Sequence, residues 1–315
     1  MDKAVENRHQ LGLRTRRKAF IKNQITWWMM LLPGLLITLI FKYGAMFGVV
    51  IAFEDFNYAA GGFFGHEWVG LENFIYVFTL KDFSQSIINT LIMQTWKIVL
   101  GIVVPLVLAL LINEVGKKWF AKLVQTTFFL PFFLSCIILG GIINQVFSYN
   151  GIVNAIRVMF GAERALFLID NKYFRTIMII TDVWKGMGYN MVIFLAAIIG
   201  IDPSLYEAAE IDGANRIGRM IHVTIPGMAP MILLLSTLSL GGLLNGNFDQ
   251  IYVLYNPLVY QTGDIIDTFI YRISFTGNMQ MDVGAAVGLM KSIISIILIG
   301  GTYFFAYKKF GYRIF

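Results

Sequence analysis

The sequence predicts an all-α polytopic membrane protein with six transmembrane helices, and two observations carry this prediction. Hydrophobic residues make up 57% of the 315 residues, charged residues only 14%, and the mean hydropathy is +0.68. These values are typical of a chain that sits in a lipid bilayer and exclude an ordinary soluble domain. In addition, six separate segments are long and apolar enough to cross a bilayer, which takes about 20 residues of helix.

The six predicted spans lie near 25–51, 86–112, 124–146, 176–200, 225–246 and 283–306. Lys42 interrupts the first span, so we expect the far end of this span to lie nearer Phe41. No small-residue cleavage site follows it, which indicates an uncleaved signal anchor. Residues 25–306 therefore form one transmembrane domain, between a basic tail of residues 1–24 and a short tail of residues 307–315.

Lysine and arginine residues set the expected orientation, because cytoplasmic loops of membrane proteins carry an excess of both. They crowd residues 1–24, the connection between the second and third spans, the connection 201–224 and the end of the chain. The net charge of +6 is explained by this distribution and does not indicate a nucleic-acid partner. We therefore expect a multi-pass protein of a bacterial cytoplasmic membrane, with both termini and residues 201–224 in the cytoplasm.

The polar segment 201–224 has the residues of two short helices joined by a turn. Asp202 can cap a helix that has Pro203 at its first position, where the missing N–H costs nothing. Gly213 suits the left-handed position that ends a helix. Asn215 can then cap a second short helix, which is expected to finish before Pro226.

The first of these helices carries a pattern that points to a partner protein. Small residues at Ala208 and Ala209 let another surface approach closely, while Glu207 and Glu210 offer carboxylates to a basic partner. The string E-A-A at 207–209, followed by D-G-A at 212–214 and by I-P at 225–226, resembles the EAA loop of binding-protein-dependent ABC importer permeases. An ordinary amphipathic loop helix is the alternative.

The resemblance implies the type I ABC importer permease fold and a coupling helix that docks on an ATPase subunit. The residues expected to contact the ATPase are Glu207, Ala208, Ala209, Asp212 and Gly213. It also implies several partners: a second related permease subunit, two ATPase subunits that bind ATP and magnesium, and an extracellular or periplasmic solute-binding protein. This chain is then a transport subunit, not an enzyme, and binds no cofactor of its own.

Three further strings resemble permeases of the maltose-transporter class, and among these the polysaccharide-type (LplB-like) permeases. They are W-V-G-L-E-N-F at 68–74, F-F-L-P-F-F-L-S at 128–135 and W-K-G-M-G-Y-N at 184–190. This resemblance implies import of a sugar or oligosaccharide. An ABC permease for a non-sugar solute stays open, because related permeases carry glycerol phosphate esters. A secondary transporter driven by an ion gradient also stays open, although such carriers usually repeat their architecture and no internal repeat is visible.

Ionisable residues inside the predicted spans mark a candidate solute pathway, because charges at such depth are costly and normally face a cavity or a partner. They are Lys97, Asp182, Lys185 and Lys291, and Tyr189 lies one helical turn beyond Lys185. We expect Asp182 to face one of the three ammonium groups. A purely structural network of ion pairs between helices is the alternative.

The end of the fifth span, residues 241–252, reads G-G-L-L-N-G-N-F-D-Q-I-Y, and its glycines and asparagines predict an interrupted helix. Irregular backbone at membrane depth is tolerated where it lines a water-filled cavity. Asn245, Asn247 and Asp249 are therefore candidates for contact with sugar hydroxyl groups. The alternative is a plain helix end and its turn.

Residue patterns for catalysis or metal binding are missing from the sequence. His9, His66 and His222 are isolated and lack metal-ligand spacing. Lys291 does not directly follow Gly288 as the lysine of a phosphate-binding loop follows its glycine, so ATP hydrolysis is expected on another chain. The single cysteine, Cys136, lies in an apolar run and is expected to be a small core residue.

Overall fold

The computed structural model describes residues 24–25, 27–57, 61–62, 65–276 and 279–310. Within these ranges the chain is helical apart from turns and one isolated bridge between Glu54 and Trp68. Six helical stretches in the same ranges are long and apolar enough to cross a membrane, which confirms the predicted class. Nearly all of the predicted tail 1–24, and residues 311–315, lie outside the described residues.

We label the helices in chain order. They are α1 Trp27–Phe53, α2 Glu72–Thr79, α3 Lys81–Asn113, α4 Lys118–Phe129, α5 Cys136–Phe147, α6 Ile152–Met159, α7 Asn171–Ile199, α8 Pro203–Ile211, α9 Arg216–Gly241, α10 Phe248–Leu254, α11 Ile266–Phe275 and α12 Met281–Phe310.

Helix α1 does not end near Phe41, so that expectation is wrong. The helix passes Lys42 through a π-helical segment, Leu39–Tyr43, and continues to Phe53 in a tighter 3-10 form. Lys42 is exposed, and a long lysine stem lets its ammonium group reach toward a polar surface without ending the helix. A single lysine therefore does not fix the end of a span.

The third predicted span, 124–146, is not one helix. Helix α4 passes into a 3-10 turn, Leu130–Phe133, and the backbone is extended at Leu134 and Ser135 before α5 begins. Pro131 lacks the N–H that a continuing α-helix needs, and the Ser135 hydroxyl accepts a hydrogen bond from the Ile138 N–H at 3.3 Å as the cap of α5. After a short turn α6 continues from α5, and together they form the third stretch that is long enough to cross a membrane, Cys136–Met159, about 12 residues later in the chain than predicted.

Helix α9 also corrects an expectation, because it runs through Pro226 instead of ending before it. Its first turn, Arg216–Arg219, passes into a π-helical segment, Met220–Thr224, and then into the long α-helical part that begins at Ile225. Pro226 falls within the first two positions of that last part, where a missing N–H costs little. The π-helical turn absorbs the irregularity that the proline imposes.

Helices α3 and α7 form the centre of the described bundle. Two buried clusters lie against them: one joins Met93 and Met178 to Ile251 of α10, and the other joins Ala109 and Phe194 to Met228 of α9. Glycine permits the close approach of α4 to α7, since a Cβ at Gly188 would lie 2.1 Å from the Phe128 carbonyl oxygen. The polar residues on α3 and α7 are consequently held between well-packed layers.

Candidate functional site

An ion pair joins the two central helices. Lys97 of α3 and Asp182 of α7 approach to 3.6 Å between Nζ and Oδ1, and their side chains are 4% and 26% exposed. The expectation that Asp182 faces an ammonium group is confirmed, and the partner is Lys97. A charge at such depth is costly when unpaired, so the pair stabilises both groups.

Two amide side chains complete what we call the Lys97 cluster, which comprises Lys97, Asp182, Asn247 and Gln250. Asn247 Nδ2 donates to Asp182 Oδ1 at 2.8 Å, and Lys97 Nζ donates to Gln250 Oε1 at 3.1 Å. The buried Gln250 amide in turn donates to the Thr181 hydroxyl at 2.9 Å and to the Met178 carbonyl at 3.1 Å. The Gln250 amide both donates and accepts, so these hydrogen bonds fix its orientation.

Gln250 was not predicted as a site residue, although it lies in the polar string that ends the fifth span. Its spacing from Asn247 could have identified it as a member of the same cluster. The two residues are three positions apart, and because α10 is helical they reach the same cluster. The sequence analysis named the neighbouring Asp249 as a candidate, but Asp249 is exposed.

A cavity of about 150 Å³ opens beside the Lys97 cluster. Lys97, Asp182 and Asn190 supply polar atoms to its wall, and Asn190 Nδ2 donates to the Gly101 carbonyl at 3.0 Å. Gly101 and Gly186 line the same space, and open room lies where their side chains would be. At about 30 Å³ for each water molecule, the cavity has room for several waters beside the ion pair.

Lys185 makes its side-chain contact outside that cluster. Its Nζ lies 3.4 Å from Cys136 Sγ at the start of α5. Tyr189, one turn along α7, stacks on Phe132 with ring centroids 4.8 Å apart and planes 12° apart. Cys136 is half-buried and contacts an ammonium group, so the expectation of a plain core residue is wrong. Sequence reasoning failed there because the broken third span turns Cys136 toward α7.

The other predicted pathway residues do not join the Lys97 cluster. Lys291 of α12 pairs with Asp267 of α11. Asn245 is exposed, and in the described structure its side chain makes no hydrogen bond to the cluster. The predicted interruption of the fifth span is confirmed: α9 ends at Gly241 and α10 begins at Phe248. Gly246 lies in this interruption, and a Cβ there would lie 2.2 Å from Ile265 Cδ1.

The caps and the turn of the segment 201–224 form as its residues predict. Asp202 Oδ1 accepts from the Ser204 N–H at 2.9 Å, and this backbone hydrogen bond lowers the pKa of the Asp202 carboxyl. Gly213 ends α8 with φ +81°, the left-handed region. Asn215 Oδ1 accepts from the Gly218 N–H at 2.7 Å as the cap of α9. Capping thus fixes both ends of α8 through residues of the loop itself.

Helix α8 presents a bare surface. It buries none of its residues, and Leu205 and Ile211 are 53% and 86% exposed. Glu207, Ala208, Asp212 and Gly213 are exposed as well, and Ala209 is half-buried. Glu210 also pairs with Arg219 of the same chain at 3.1 Å, and its side chain is still 72% exposed.

The same loop is fastened to α9. The Tyr206 and Thr224 hydroxyls are 3.1 Å apart. Ile201, just before α8, is 9% exposed and packs against α9 so closely that a Cβ at Gly227 would lie 2.7 Å from Ile201 Cδ1. The loop therefore follows α9 as well as α7.

A polar network that was not predicted lies at the end of the bundle opposite α8. The buried Asp264 carboxylate accepts from Tyr255 Oη at 2.5 Å, from Thr268 Oγ1 at 2.7 Å and from Arg272 Nη2 at 2.7 Å. Arg272 also reaches Asp82 of α3 at 3.1 Å. Burial, together with the Asp264 charge, raises the pKa of the Tyr255 hydroxyl. The network ties the segment between α10 and α12 to α3.

Two open clefts flank the Asp82–Arg272 contact, with volumes of about 550 and 320 Å³. No sequence motif marked them, since their residues come from connections that are far apart in the chain. From the sequence, Arg272 is only an isolated basic residue between Tyr271 and Ile273.

Comparison with known proteins gives a consistent result. The family model described as "Binding-protein-dependent transport system inner membrane component" matches residues 101–309. The polygalacturonan/rhamnogalacturonan transport system permease protein YteP of Bacillus subtilis (strain 168) is 37% identical over 299 residues. The aligned residues are 94% of this chain and 92% of that protein.

Solved structures extend the similarity to the fold. A bacterial ABC transporter involved in the import of the acidic polysaccharide alginate matches with a TM-score of 0.84 and 33% identity, over 93% of this chain and 99% of that chain. A bacterial alginate ABC transporter in complex with alginate pentasaccharide-bound periplasmic protein matches with a TM-score of 0.83 and 33% identity, over 91% of this chain and 96% of that chain.

Proposed function

The chain belongs to the family of binding-protein-dependent transport system inner membrane components, and from this premise we propose that it forms one half of the pathway of an ATP-driven sugar importer. Family membership confirms the predicted type of protein, its all-α permease fold and its function as a transport subunit rather than an enzyme. The observation that carries the proposal is the similarity to a permease over 94% of this chain.

The proposed solute is a sugar or oligosaccharide. The relative YteP is named for two polysaccharides, and the solved transporters handle alginate, which supports the predicted class. In one of those structures the transporter is bound to a periplasmic protein that holds an alginate pentasaccharide. We infer that this chain likewise receives its solute from a binding protein outside the membrane. The family match supports an ABC importer over a carrier driven by an ion gradient.

Helix α8 is the proposed coupling helix. Its exposed Leu205 and Ile211, with Glu207 and the small Ala208 between them, form a surface that is suited to a groove on another protein. That partner would be one of two ATPase subunits, which bind ATP and magnesium, while a second related permease completes the pathway. With α8 in the cytoplasm, both termini lie there as well, and the network of Asp264 and Arg272 faces the binding protein.

The cavity beside the Lys97 cluster is the proposed section of the pathway within the membrane. Its wall combines residues from α3, α7 and α9, such as Lys97, Asp182 and Ser239, so any relative motion of these helices changes its shape. Binding of ATP by the partners would favour one arrangement of the helices and its hydrolysis the other, which is alternating access by differential contacts in two states.

The coupling proposal is tested with two loop variants. Gly213→Pro removes the left-handed turn. Glu207→Ala removes the α8 carboxylate that has no ion-pair partner in the described part of the chain, unlike Glu210. Both should weaken copurification of the ATPase and lower transport in membrane vesicles, while the amount of folded permease is unchanged, because α8 buries nothing in the bundle.

Glu163→Ala is the matched control, since Glu163 is an exposed glutamate at the opposite end of the bundle. It should leave the association with the ATPase unchanged. Normal transport and normal ATPase association in both loop variants would show that α8 is not the coupling helix.

A further inference from the structure

Lys185 differs from Lys97 and Lys291, the other two lysines in the middle of the membrane-spanning helices α3, α7 and α12. Lys97 is paired with Asp182, and Lys291 with Asp267. In the described part of the chain no carboxylate lies within the 4.0 Å ion-pair distance of Lys185. Because Asp182 already binds Lys97 and Asn247, the region around Lys185 keeps one uncompensated positive charge.

The neighbour that Lys185 does have is a poor substitute for an anion. Its ammonium group contacts Cys136 Sγ at 3.4 Å, and a thiol sulfur is only a weak acceptor. An ammonium group carries three donors, so at least two remain for another ligand. Lys185 is half-buried, and a charge at membrane depth is expensive unless water or an opposite charge satisfies it.

An aromatic surface adjoins this charge. Tyr189 lies four residues after Lys185 on α7, so their side chains are neighbours on one face of the helix. Tyr189 is 45% exposed although it stacks on Phe132, which is itself 40% exposed. The two rings thus offer an apolar platform beside an ammonium group. The sugar ring of a uronate has the complementary pair, an apolar C–H face and a carboxylate attached to the same ring.

We propose that Lys185 and Tyr189 form a subsite for a carboxylate-bearing sugar unit in the translocation pathway, so that the solute is an anionic oligosaccharide. The inference rests on the proposed function as a sugar permease. Lys185 supplies charge-assisted hydrogen bonds to the carboxylate, and Tyr189 with Phe132 supports the ring. The Lys97–Asp182 pair has no net charge, so it does not cancel the charge of Lys185.

The test uses the complex of this chain with its partner permease and ATPases, purified without a binding protein. Two probes are titrated at low salt: a uronate trisaccharide, and the same trisaccharide with its carboxylates reduced to alcohols. Hydrogen bonds to charged groups predict that the wild type binds the acidic probe about tenfold or more tighter. Lys185→Gln should bind the two probes equally, whereas Lys185→Arg should keep the preference because it keeps the charge.

Lys172→Gln is the matched control, since Lys172 is an exposed lysine on the same helix. It should keep the full preference. The proposal is overturned if the wild type shows no preference, if it binds neither probe, or if Lys185→Gln keeps the preference. It is also overturned if Lys185→Gln breaks the complex apart, because the ammonium would then pair with a partner subunit.

Transport into vesicles that contain the complete importer is measured separately. Uptake of a neutral oligosaccharide by wild type and Lys185→Gln alike would refute the anionic subsite and leave the sugar permease intact. Absence of any sugar uptake by the wild type would refute the proposed function itself.

Discussion

The Asp182→Asn substitution probes the energy of the ion pair at the centre of the bundle. Asparagine keeps the size of the side chain and can still accept from Asn247 Nδ2, so packing changes little. Lys97, whose side chain is 4% exposed, loses its counter-ion and keeps only the Gln250 carbonyl as a hydrogen-bond acceptor. The expected change is therefore almost entirely electrostatic.

The magnitude follows from the burial of the two partners. Removing one member of a buried ion pair costs about 3–5 kcal/mol, because the other charge stays buried alone. Asp182 is 26% exposed and a cavity of about 150 Å³ adjoins the pair, so water can reach the abandoned ammonium group. We therefore expect Asp182→Asn to lower the free energy of unfolding by about 2–4 kcal/mol, slightly less than for a fully buried pair.

The assay is reversible unfolding of the purified permease in mixed detergent, with Lys97→Met and the double variant beside Asp182→Asn. Since the double variant buries no charge, it should lose less than the sum of the two single losses, with a coupling energy of about 1–3 kcal/mol. Additive losses would show that the pair contributes no interaction energy. An unchanged unfolding energy in Asp182→Asn would refute the reasoning outright.

The same variant separates a structural from a transport role. If the pair lines the pathway, Asp182→Asn lowers transport more than it lowers assembly with the other subunits. Full transport activity would refute the pathway role, and failure to assemble would assign the pair to structure alone.

Two more predictions follow from packing and topology. Gly188→Ala should lower the free energy of unfolding by about 1–3 kcal/mol, because its Cβ would lie 2.1 Å from the Phe128 carbonyl oxygen. Gly186 has open space where a Cβ would lie, so Gly186→Ala should be neutral or slightly stabilising in the same unfolding assay. Equal effects of the two would contradict the close contact of α4 with α7. In a Cys136→Ser background, cysteine at Asn57 or at the exposed Gln261 should react with an impermeant thiol reagent outside intact cells, and cysteine at the exposed Ile211 should not. Labelling in the opposite sense would reverse the proposed orientation.

Local chemistry explains what the sequence predicted well. The caps at Asp202 and Asn215 and the left-handed turn at Gly213 depend on residues within a few positions of one another, and all three form as expected. The spans follow from hydropathy because a bilayer leaves the backbone few alternatives to a helix. Family motifs added the function, which no spacing of residues could have supplied.

Contacts between distant segments explain what the sequence could not predict. Asp182 had three possible lysine partners, and only the packing of α3 against α7 selects Lys97. Lys42 and Pro226 each suggested a helix end, yet π-helical turns carry α1 and α9 past them. The Asp264 network joins segments that are about 180 positions apart in the chain at Asp82, so no local pattern reveals it.

Helix α7 ends at Ile199, and the non-helical residues 200–202 join it to α8. From Asp182 to Ile199, α7 forms an arm about 25 Å long at 1.5 Å per residue, so a tilt of about 10° about one end displaces the other by on the order of 4 Å. Ile201 locks the same arm to α9 at Gly227, so α7 and α9 are expected to swing together. When α7 and α9 move together, they move relative to α3. The ion pair between Lys97 and Asp182 crosses this contact. Each such movement would lengthen the Lys97–Asp182 distance, so the ion pair would oppose the movement as well as line the cavity.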